Sequence, residues 1–112
     1  MKLTHEDYDQ LSVFTIKGEF AGEDDADAFR TRALDRLEHS IRDVVLDLEQ
    51  VEFIDSRGLE AFLWLQDACA EKLGQVRLAA VQANVNEALR VTRLAGRFDR
   101  HDDIDTAIKS LR

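Results

Sequence analysis

The sequence predicts an α/β fold with a mixed, mostly parallel sheet of about four or five strands, opened by an antiparallel hairpin and covered by about four helices. Short apolar runs typical of strands alternate with stretches of helical period. The first two strand-like runs are separated by only two residues, as in a hairpin. Because 45% of the 112 residues are hydrophobic, the chain has enough apolar side chains for one core. We therefore expect a single domain over residues 1–112.

The hairpin opens the chain. Residues 2–8 are weakly strand-like, and residues 11–16 are rich in β-branched and aromatic side chains. Asp9 and Gln10 supply the turn between them.

The first helix follows a polar connection bracketed by Gly18 and Gly22, and we expect it to end near His39. Acidic residues occupy the positive end of its dipole. Apolar residues recur at helical spacing along it, namely Ala26, Phe29, Ala33 and Leu37.

The centre of the chain predicts a buried strand and a second helix. Residues 44–48 are almost continuously apolar, which is typical of a strand covered on both faces, and a loop through Glu49 and Val51 should follow. The helix after Ser56 should end at Gly74. One face of that helix carries the predicted apolar stripe, namely Leu59, Phe62, Leu63, Gln66, Ala70 and Leu73.

The remaining elements are shorter. Residues 76–81 predict a strand, and Asn84 can cap a third helix that Gly96 ends. Phe98 marks a very short last strand. Asp102 or Asp103 caps a final helix, whose apolar stripe is Ile104, Ile108 and Leu111.

The charge excludes several ligand classes. With 23 acidic and 15 basic residues the formal net charge is −8. Nucleic acids and anionic membrane surfaces are therefore disfavoured, because both are bound through basic side chains. The acidic N-terminus and the lack of a long apolar stretch indicate a cytoplasmic protein without membrane insertion. Cys69 is the only cysteine, so an internal disulfide is impossible, and we expect its side chain to be semi-buried filler.

The residues from Asp55 to Gly58 form the main candidate site. They lie between the central strand and the second helix, where an α/β fold usually presents its ligands and a helix start stabilises negative charge. Ser56 can therefore carry a phosphate. The alternative is that Ser56 serves only as the N-cap of the helix.

Four stretches resemble the STAS domain family, and more narrowly the bacterial anti-sigma factor antagonists. They are residues 18–20, 44–59, 81–85 and 94–96. The most specific part is a strand, an Ile/Met-Asp-Ser-x-Gly-Leu turn and a helix, in that order. The resemblance covers nearly the whole chain and implies a STAS-type sheet.

The resemblance implies that the chain is a regulatory binding module and not an enzyme, without a cofactor or metal. Ser56 matches the serine phosphorylated by a partner that is both an anti-sigma factor and a GHKL-type serine kinase. The resemblance implies that the unphosphorylated form binds that partner and releases sigma, that phosphorylation blocks binding, and that a serine phosphatase restores it. Some STAS domains instead serve transport complexes or scaffolds without phosphorylation, which is the main alternative function.

The chain departs from the family pattern at two places. Arg57 replaces a second serine, which puts a cation beside the phosphosite where it can pair with a phosphate or change which kinase is accepted. Ala21 and Gly22 displace the usual acidic residue to Glu23, which bears on partner choice. Acidic Asp55 and Glu60 flank Ser56, so further negative charge there should oppose docking.

Trp64 is a second candidate for partner binding. At 100° per residue it lies nearly opposite the predicted stripe, among Glu60, Asp67 and Glu71. It is either an aromatic anchor for the partner or a surface residue covered by another helix.

Two other interpretations are less well supported. The acidic residues around His101 are typical of a helix start, and no second ligand cluster indicates a metal site. A receiver domain, with Asp47 as phosphoacceptor, is a less favoured alternative, because no acidic pair follows the first strands and Asp47 lies inside the apolar run.

Overall fold

The computed structural model of the chain describes residues 1–111. Five strands form one sheet, namely β1 (Lys2–Tyr8), β2 (Leu11–Phe20), β3 (Asp43–Ile54), β4 (Val76–Ala79) and β5 (Asp99–His101). The helices are α1 (Gly22–Glu38), α2 (Ser56–Glu71), α3 (Ala83–Val91) and α4 (Ile104–Lys109), with a short 3₁₀ turn at Ala95–Arg97.

The sheet has the strand order β1-β2-β3-β4-β5, in which β1 and β2 are antiparallel and the other neighbours are parallel. This confirms the predicted mixed α/β fold and its opening hairpin. The order contradicts the receiver alternative, because receiver-like sheets run 2-1-3-4-5. Asp47 instead lies within β3, where its carboxylate accepts a hydrogen bond from the backbone N–H of Glu49 at 3.2 Å.

Helices cover the sheet on both faces. The larger core lies under α1, α2 and α3, and it contains five buried phenylalanines whose rings pack edge to face or tilted: Phe14, Phe20, Phe29, Phe62 and Phe98. The smaller core lies under α4, where Val13, Val45 and Ala79 of the sheet meet Ala107. The predicted stripe of α4 is confirmed, since Ile104, Ile108 and Leu111 pack against this cluster.

Strand β3 is longer than the apolar run predicts. The predicted loop through Glu49 and Val51 is wrong, because the strand continues to Ile54. Val51 and Ile54 are buried in the larger core and pair with Gly18 and Phe20 of β2. The register shifts next to Gly18, whose φ of 89° is one that glycine adopts at little cost. The bulge lets both strands reach the same edge of the sheet.

The buried face of α2 is rotated from the predicted stripe. Leu63 and Gln66 are only partly buried, while Ala70 and Leu73 are exposed. The helix packs against α1 as well as the sheet, and this second contact turns other side chains inward. The buried residues are Gly58, Leu59, Ala61, Phe62, Leu65 and Cys69.

Helix α3 begins and ends at residues other than those predicted to cap it and to end it. Gln82, and not Asn84, occupies the N-cap of α3; the Asn84 amide instead donates to the backbone carbonyl of Glu52. This bond ties the start of α3 to the end of β3. After α3, Arg93 adopts a φ of 61°, so the chain leaves the helix without using Gly96.

Candidate functional site

The candidate site lies where two parallel strands end and two helices begin. Strands β2 and β3 finish side by side, with Phe20 paired to Ile54. Helix α1 starts at Gly22 and α2 at Ser56, so their first turns are neighbours at the carboxyl edge of the sheet. This is where an α/β fold usually presents its binding groups.

Asp55 links the starts of both helices. Its Oδ1 accepts a hydrogen bond from the Gly58 N–H at 3.0 Å, and its Oδ2 accepts one from the Gly22 N–H at 2.9 Å. Partial burial opposes the charged carboxylate, but hydrogen bonds from the backbone of Gly58, Gly22 and Arg57 hold the pKa of Asp55 below its ordinary value. Asp55 is therefore an ionised clamp between α1 and α2.

Ser56 is the first residue of α2 and is exposed. The alternative in which Ser56 itself caps the helix is wrong, because Asp55 occupies the N-cap and its side chain receives the Gly58 N–H. The Ser56 hydroxyl thus has no capping role. A group attached to its Oγ would stand at the positive end of a 16-residue helix.

Arg57 forms a second link between the two helix starts. Its Nη1 lies 2.6 Å from Oε2 of Glu23, and each side chain is 55% exposed. The sequence predicts Arg57 as a cation beside Ser56, and the structure places it there, already paired with Glu23. A phosphate on Ser56 would compete with Glu23 for the guanidinium group.

Gly58 allows α2 to approach the sheet closely. A Cβ at this position would lie 2.7 Å from Cγ1 of Ile54 and 3.0 Å from the carbonyl oxygen of Phe20. Gly58 is buried in the first turn of the helix. Its lack of a side chain therefore sets the distance between the Ser56 turn and the ends of both strands.

Glu60 and Trp64 follow Ser56 at intervals of four residues along α2. Glu60 is exposed one turn after Ser56, as predicted from the helical spacing. Trp64 does not stand free on the outer face. It is partly buried and packs against the margin of the larger core, because the buried face of α2 lies nearer to it than the predicted stripe.

Other candidate groups have structural roles. Asp103 caps α4 and accepts from the Thr106 N–H at 2.7 Å, and the described part of the chain holds no group of three acidic, histidine or cysteine side chains placed to bind a metal ion. Cys69 is fully buried and not semi-buried, and burial raises the pKa of its thiol to about 12. Within residues 1–111, no helix combines the length and apolar character needed to cross a membrane.

Three contributors to the site were missed in the sequence. Gly22 donates to Asp55, and its φ of 81° explains why glycine opens α1. Glu23 pairs with Arg57, although its sequence context indicates only a solvated helix start. Phe53 is 49% exposed beside the Ser56 turn. Its position next to the apolar Ile54 is the one feature of the sequence that could have indicated an outward-facing aromatic side chain.

Several solved structures share this fold. A protein from Thermotoga maritima, provisionally assigned as an anti-sigma factor antagonist, is 22% identical, with a TM-score of 0.89 over 98% of this chain and 94% of that chain. The anti-sigma factor antagonist SpoIIAA of Bacillus has been solved in two forms. The unphosphorylated form is 16% identical, with a TM-score of 0.86 over 99% of this chain and 96% of that one. The phosphorylated form has a TM-score of 0.77.

A sulfate transporter family protein from Wolinella succinogenes has the same fold, with 23% identity and a TM-score of 0.77 over 91% of this chain and 84% of that chain. A comparison with curated protein sequences finds no match. The STAS domain family model, by contrast, matches residues 2–107. This match spans all five strands, helices α1, α2 and α3, and the first four residues of α4. The strand, Asp-Ser turn and helix that carry the resemblance lie inside it. The chain therefore belongs to the STAS domain family.

Proposed function

We propose that this protein is an anti-sigma factor antagonist switched by phosphorylation of Ser56. The unphosphorylated form binds an anti-sigma factor that is also a GHKL-type serine kinase, and thereby frees sigma in a bacterial cytoplasm. Phosphorylation releases that partner, and a serine phosphatase resets the switch. The observation that carries the proposal is an exposed Ser56 that opens α2 while the neighbouring Asp55 does the capping.

The geometry suits a serine presented to another protein's active site. Asp55 and Gly58 fix the backbone on either side of Ser56, so the hydroxyl is displayed on a preorganised turn. In the transfer step, the Ser56 Oγ attacks the γ-phosphorus of ATP held by the kinase. The new Oγ–P bond forms as the bond to the ADP oxygen breaks, and the hydroxyl proton passes to a base on the kinase. The chain supplies the nucleophile and neither ATP nor catalyst.

The phosphate would oppose docking through desolvation. It adds about −1.5 to −2 charge at pH 7, beside the acidic Asp55 and the exposed Glu60. The cationic side chain of this chain that lies beside Ser56 is Arg57, and Arg57 is already paired with Glu23, so it compensates little of that charge when a partner buries it. A penalty of about 3 kcal/mol would weaken binding roughly 100-fold.

A pull-down followed by mass measurement tests this function. We expect the wild-type protein to retain a GHKL-type anti-sigma factor, and incubation with that protein and ATP to add one phosphate to Ser56. The phosphate should be stable to hydroxylamine, as phosphoserine is. With the purified partner, Ser56→Ala should bind in the presence or absence of ATP and Ser56→Asp should bind about 100-fold more weakly. Equal affinity for wild type and both variants would refute the switch.

A second candidate function is an unphosphorylated accessory unit of a transport complex or a signalling scaffold. Its support is the shared fold of the sulfate transporter family protein from Wolinella succinogenes. The same pull-down separates the two functions. Recovery of a membrane transport subunit, with no phosphate on Ser56 after incubation with cell extract and ATP, would favour this alternative.

A further inference from the structure

Phe53 is an aromatic side chain that the fold leaves uncovered. It is 49% exposed and stands opposite Glu19 in the β2–β3 register. Its neighbour Ile54 faces the larger core, so strand alternation turns Phe53 to the other face of the sheet. Helix α4 covers that face only around the smaller core. The end of β3 therefore presents an apolar ring to solvent.

The position of Phe53 distinguishes it from the other exposed large apolar side chains. Tyr8 adjoins the hairpin turn, Leu73 and Val91 lie at the ends of α2 and α3, and Leu34 lies in the middle of α1. All four are away from the carboxyl edge of the sheet. Phe53 precedes Ser56 by three residues, so their Cα atoms are at most about 11 Å apart. Both residues therefore lie at the carboxyl edge of the sheet, and the segments at this edge form the candidate docking surface.

That surface is acidic. It is formed by four segments, each of which contains the last part of a strand or the loop after it together with the start of the next helix, namely residues 19–25, 49–60, 80–86 and 100–105. They hold eleven acidic residues and two arginines, whereas the rest of the chain holds twelve acidic and thirteen basic residues. The net negative charge thus lies at the edge that presents Ser56.

Much of this charge is available to a partner. Six of the eleven carboxylates lie at helix starts, where they cap or complement the helix dipole. The other five are exposed and form no ion pair within the described residues, namely Glu19, Glu49, Glu52, Glu60 and Asp102. Both arginines are engaged, Arg57 by Glu23 and Arg100 by the Asn86 side chain at 2.8 Å.

We propose that Phe53 is the apolar anchor of the partner-binding surface, and that the partner's docking face is an apolar pocket rimmed by lysine and arginine. This inference rests on the proposed function, since it assigns the chemistry of the partner that meets Ser56. Aromatic anchors at the centre of an interface carry much of its binding free energy, while rim charges mainly set the association rate. Glu19, Glu52 and Glu60 supply the acidic rim.

This division of roles explains how a phosphate releases a basic partner. Rim carboxylates stay solvated and attract the partner from a distance, so phosphorylation leaves association fast. The phosphate on Ser56 lies under the contact, where it is desolvated and interferes with the seating of Phe53. Phosphorylation should therefore act on the dissociation rate, with the association rate unchanged or slightly increased.

Binding kinetics with the purified anti-sigma factor from the pull-down test the proposal. Phe53→Ala should weaken binding about 30-fold or more, whereas the matched control Val91→Ala, which removes an apolar side chain 62% exposed elsewhere, should change it less than about threefold. Glu60→Lys should slow association and reduce its salt dependence. The control Glu71→Lys, at the other end of α2, should do neither. Equal effects of either variant and its control would overturn the proposal.

A second measurement needs no natural partner. In amide NMR titrations, a synthetic lysine–leucine amphipathic peptide should shift residues 19–25 and 49–60, and a glutamate–leucine peptide should not. Shifts centred on other regions, or none at all, would contradict the inference. The two proposals fail separately: equal binding of Ser56→Asp and Ser56→Ala refutes the switch, whereas normal binding of Phe53→Ala refutes the anchor.

Discussion

Nη1 of Arg57 lies 2.6 Å from Oε2 of Glu23, so the first turns of α1 and α2 are joined at the surface directly beside Ser56. Because both side chains are half exposed, the pair adds little to stability, and exposed pairs typically contribute about 0.2–1 kcal/mol. Its main effect should instead be to limit how well the positive charge of Arg57 can stabilise a phosphate on Ser56. As long as Glu23 holds Arg57, a phosphate on Ser56 has to compete for that guanidinium.

Glu23→Gln should therefore narrow the affinity difference between the phosphorylated and unphosphorylated forms. A freed Arg57 would pair with the phosphate and offset part of its desolvation penalty, reducing the difference up to about tenfold. Binding of both forms to the anti-sigma factor is measured by calorimetry. The control is Asp24→Asn, which removes a carboxylate one residue away that forms no ion pair within residues 1–111, and it should leave the difference unchanged. An unchanged difference in Glu23→Gln would show that Arg57 does not reach the phosphate.

Asp55→Ala should destabilise the domain by roughly 1–3 kcal/mol, because it removes a helix cap and a second backbone hydrogen bond. Asp55→Asn should cost less, since the amide oxygen still accepts from one of the two N–H groups. Urea unfolding of each variant gives the free energies. Equal losses in the two variants would mean that the hydrogen bond kept by asparagine contributes nothing to stability.

The ionisation of Asp55 also predicts a pH dependence. Its pKa in the folded protein lies below the ordinary value, so the stability it contributes is present above the unfolded pKa of about 3.9. That contribution is lost as the pH falls through the folded pKa. The difference in unfolding free energy between wild type and Asp55→Asn should be constant from pH 7 to about 5 and shrink below about 4. A difference in unfolding free energy that grows on acidification would contradict a lowered pKa of Asp55 in the folded protein.

Gly58→Ala should destabilise the domain by about 1–3 kcal/mol, because the added methyl group would overlap Ile54 and approach the Phe20 carbonyl oxygen. The control is Gly96→Ala, where an added Cβ meets nothing within 4 Å and the backbone needs no positive φ. It should shift stability by no more than about 0.5 kcal/mol. Thermal melts compare the two variants, and equal shifts in melting temperature would rule out close packing at Gly58.

Trp64→Ala should lower stability by about 2–4 kcal/mol, because Trp64 packs against the core margin. An aromatic anchor standing free on the outer face of α2 would instead leave the melting temperature nearly unchanged. Trp64→Phe keeps most of the packing and is the control. If Trp64 also contacts the partner, Trp64→Phe should weaken binding at unchanged melting temperature. Unchanged stability in Trp64→Ala would place the side chain outside the core after all.

The sequence correctly predicts those parts of the fold that are determined by residues close together in the chain. The hairpin around Asp9, the dipole-complementing start of α1 and the Asp103 cap all depend on neighbours in the chain, and each is confirmed. The extension of β3 could not be predicted in this way, because residues 49–54 remain a strand only through pairing with β2. The buried face of α2 likewise depends on its contact with α1.

The candidate site shows the same limit. Ser56 and its turn follow from the motif and the strand–helix order, whereas the contacts that hold the turn come from residues more than thirty positions away. Asp55 binds Gly22 across 33 residues, and Arg57 binds Glu23 across 34. No sequence periodicity connects such distant positions. The contacts of Asp55 and Arg57 form only because the parallel strands β2 and β3 end side by side.

The single carboxylate of Asp55 serves as acceptor for two amides that belong to different helices. Neither amide can be released to solvent by moving the carboxylate without disturbing the other. The Gly22 and Gly58 amides should therefore exchange with deuterium as a pair, through one shared opening event. The start of α1 thus has a direct means of influencing how long the turn around Ser56 keeps its shape.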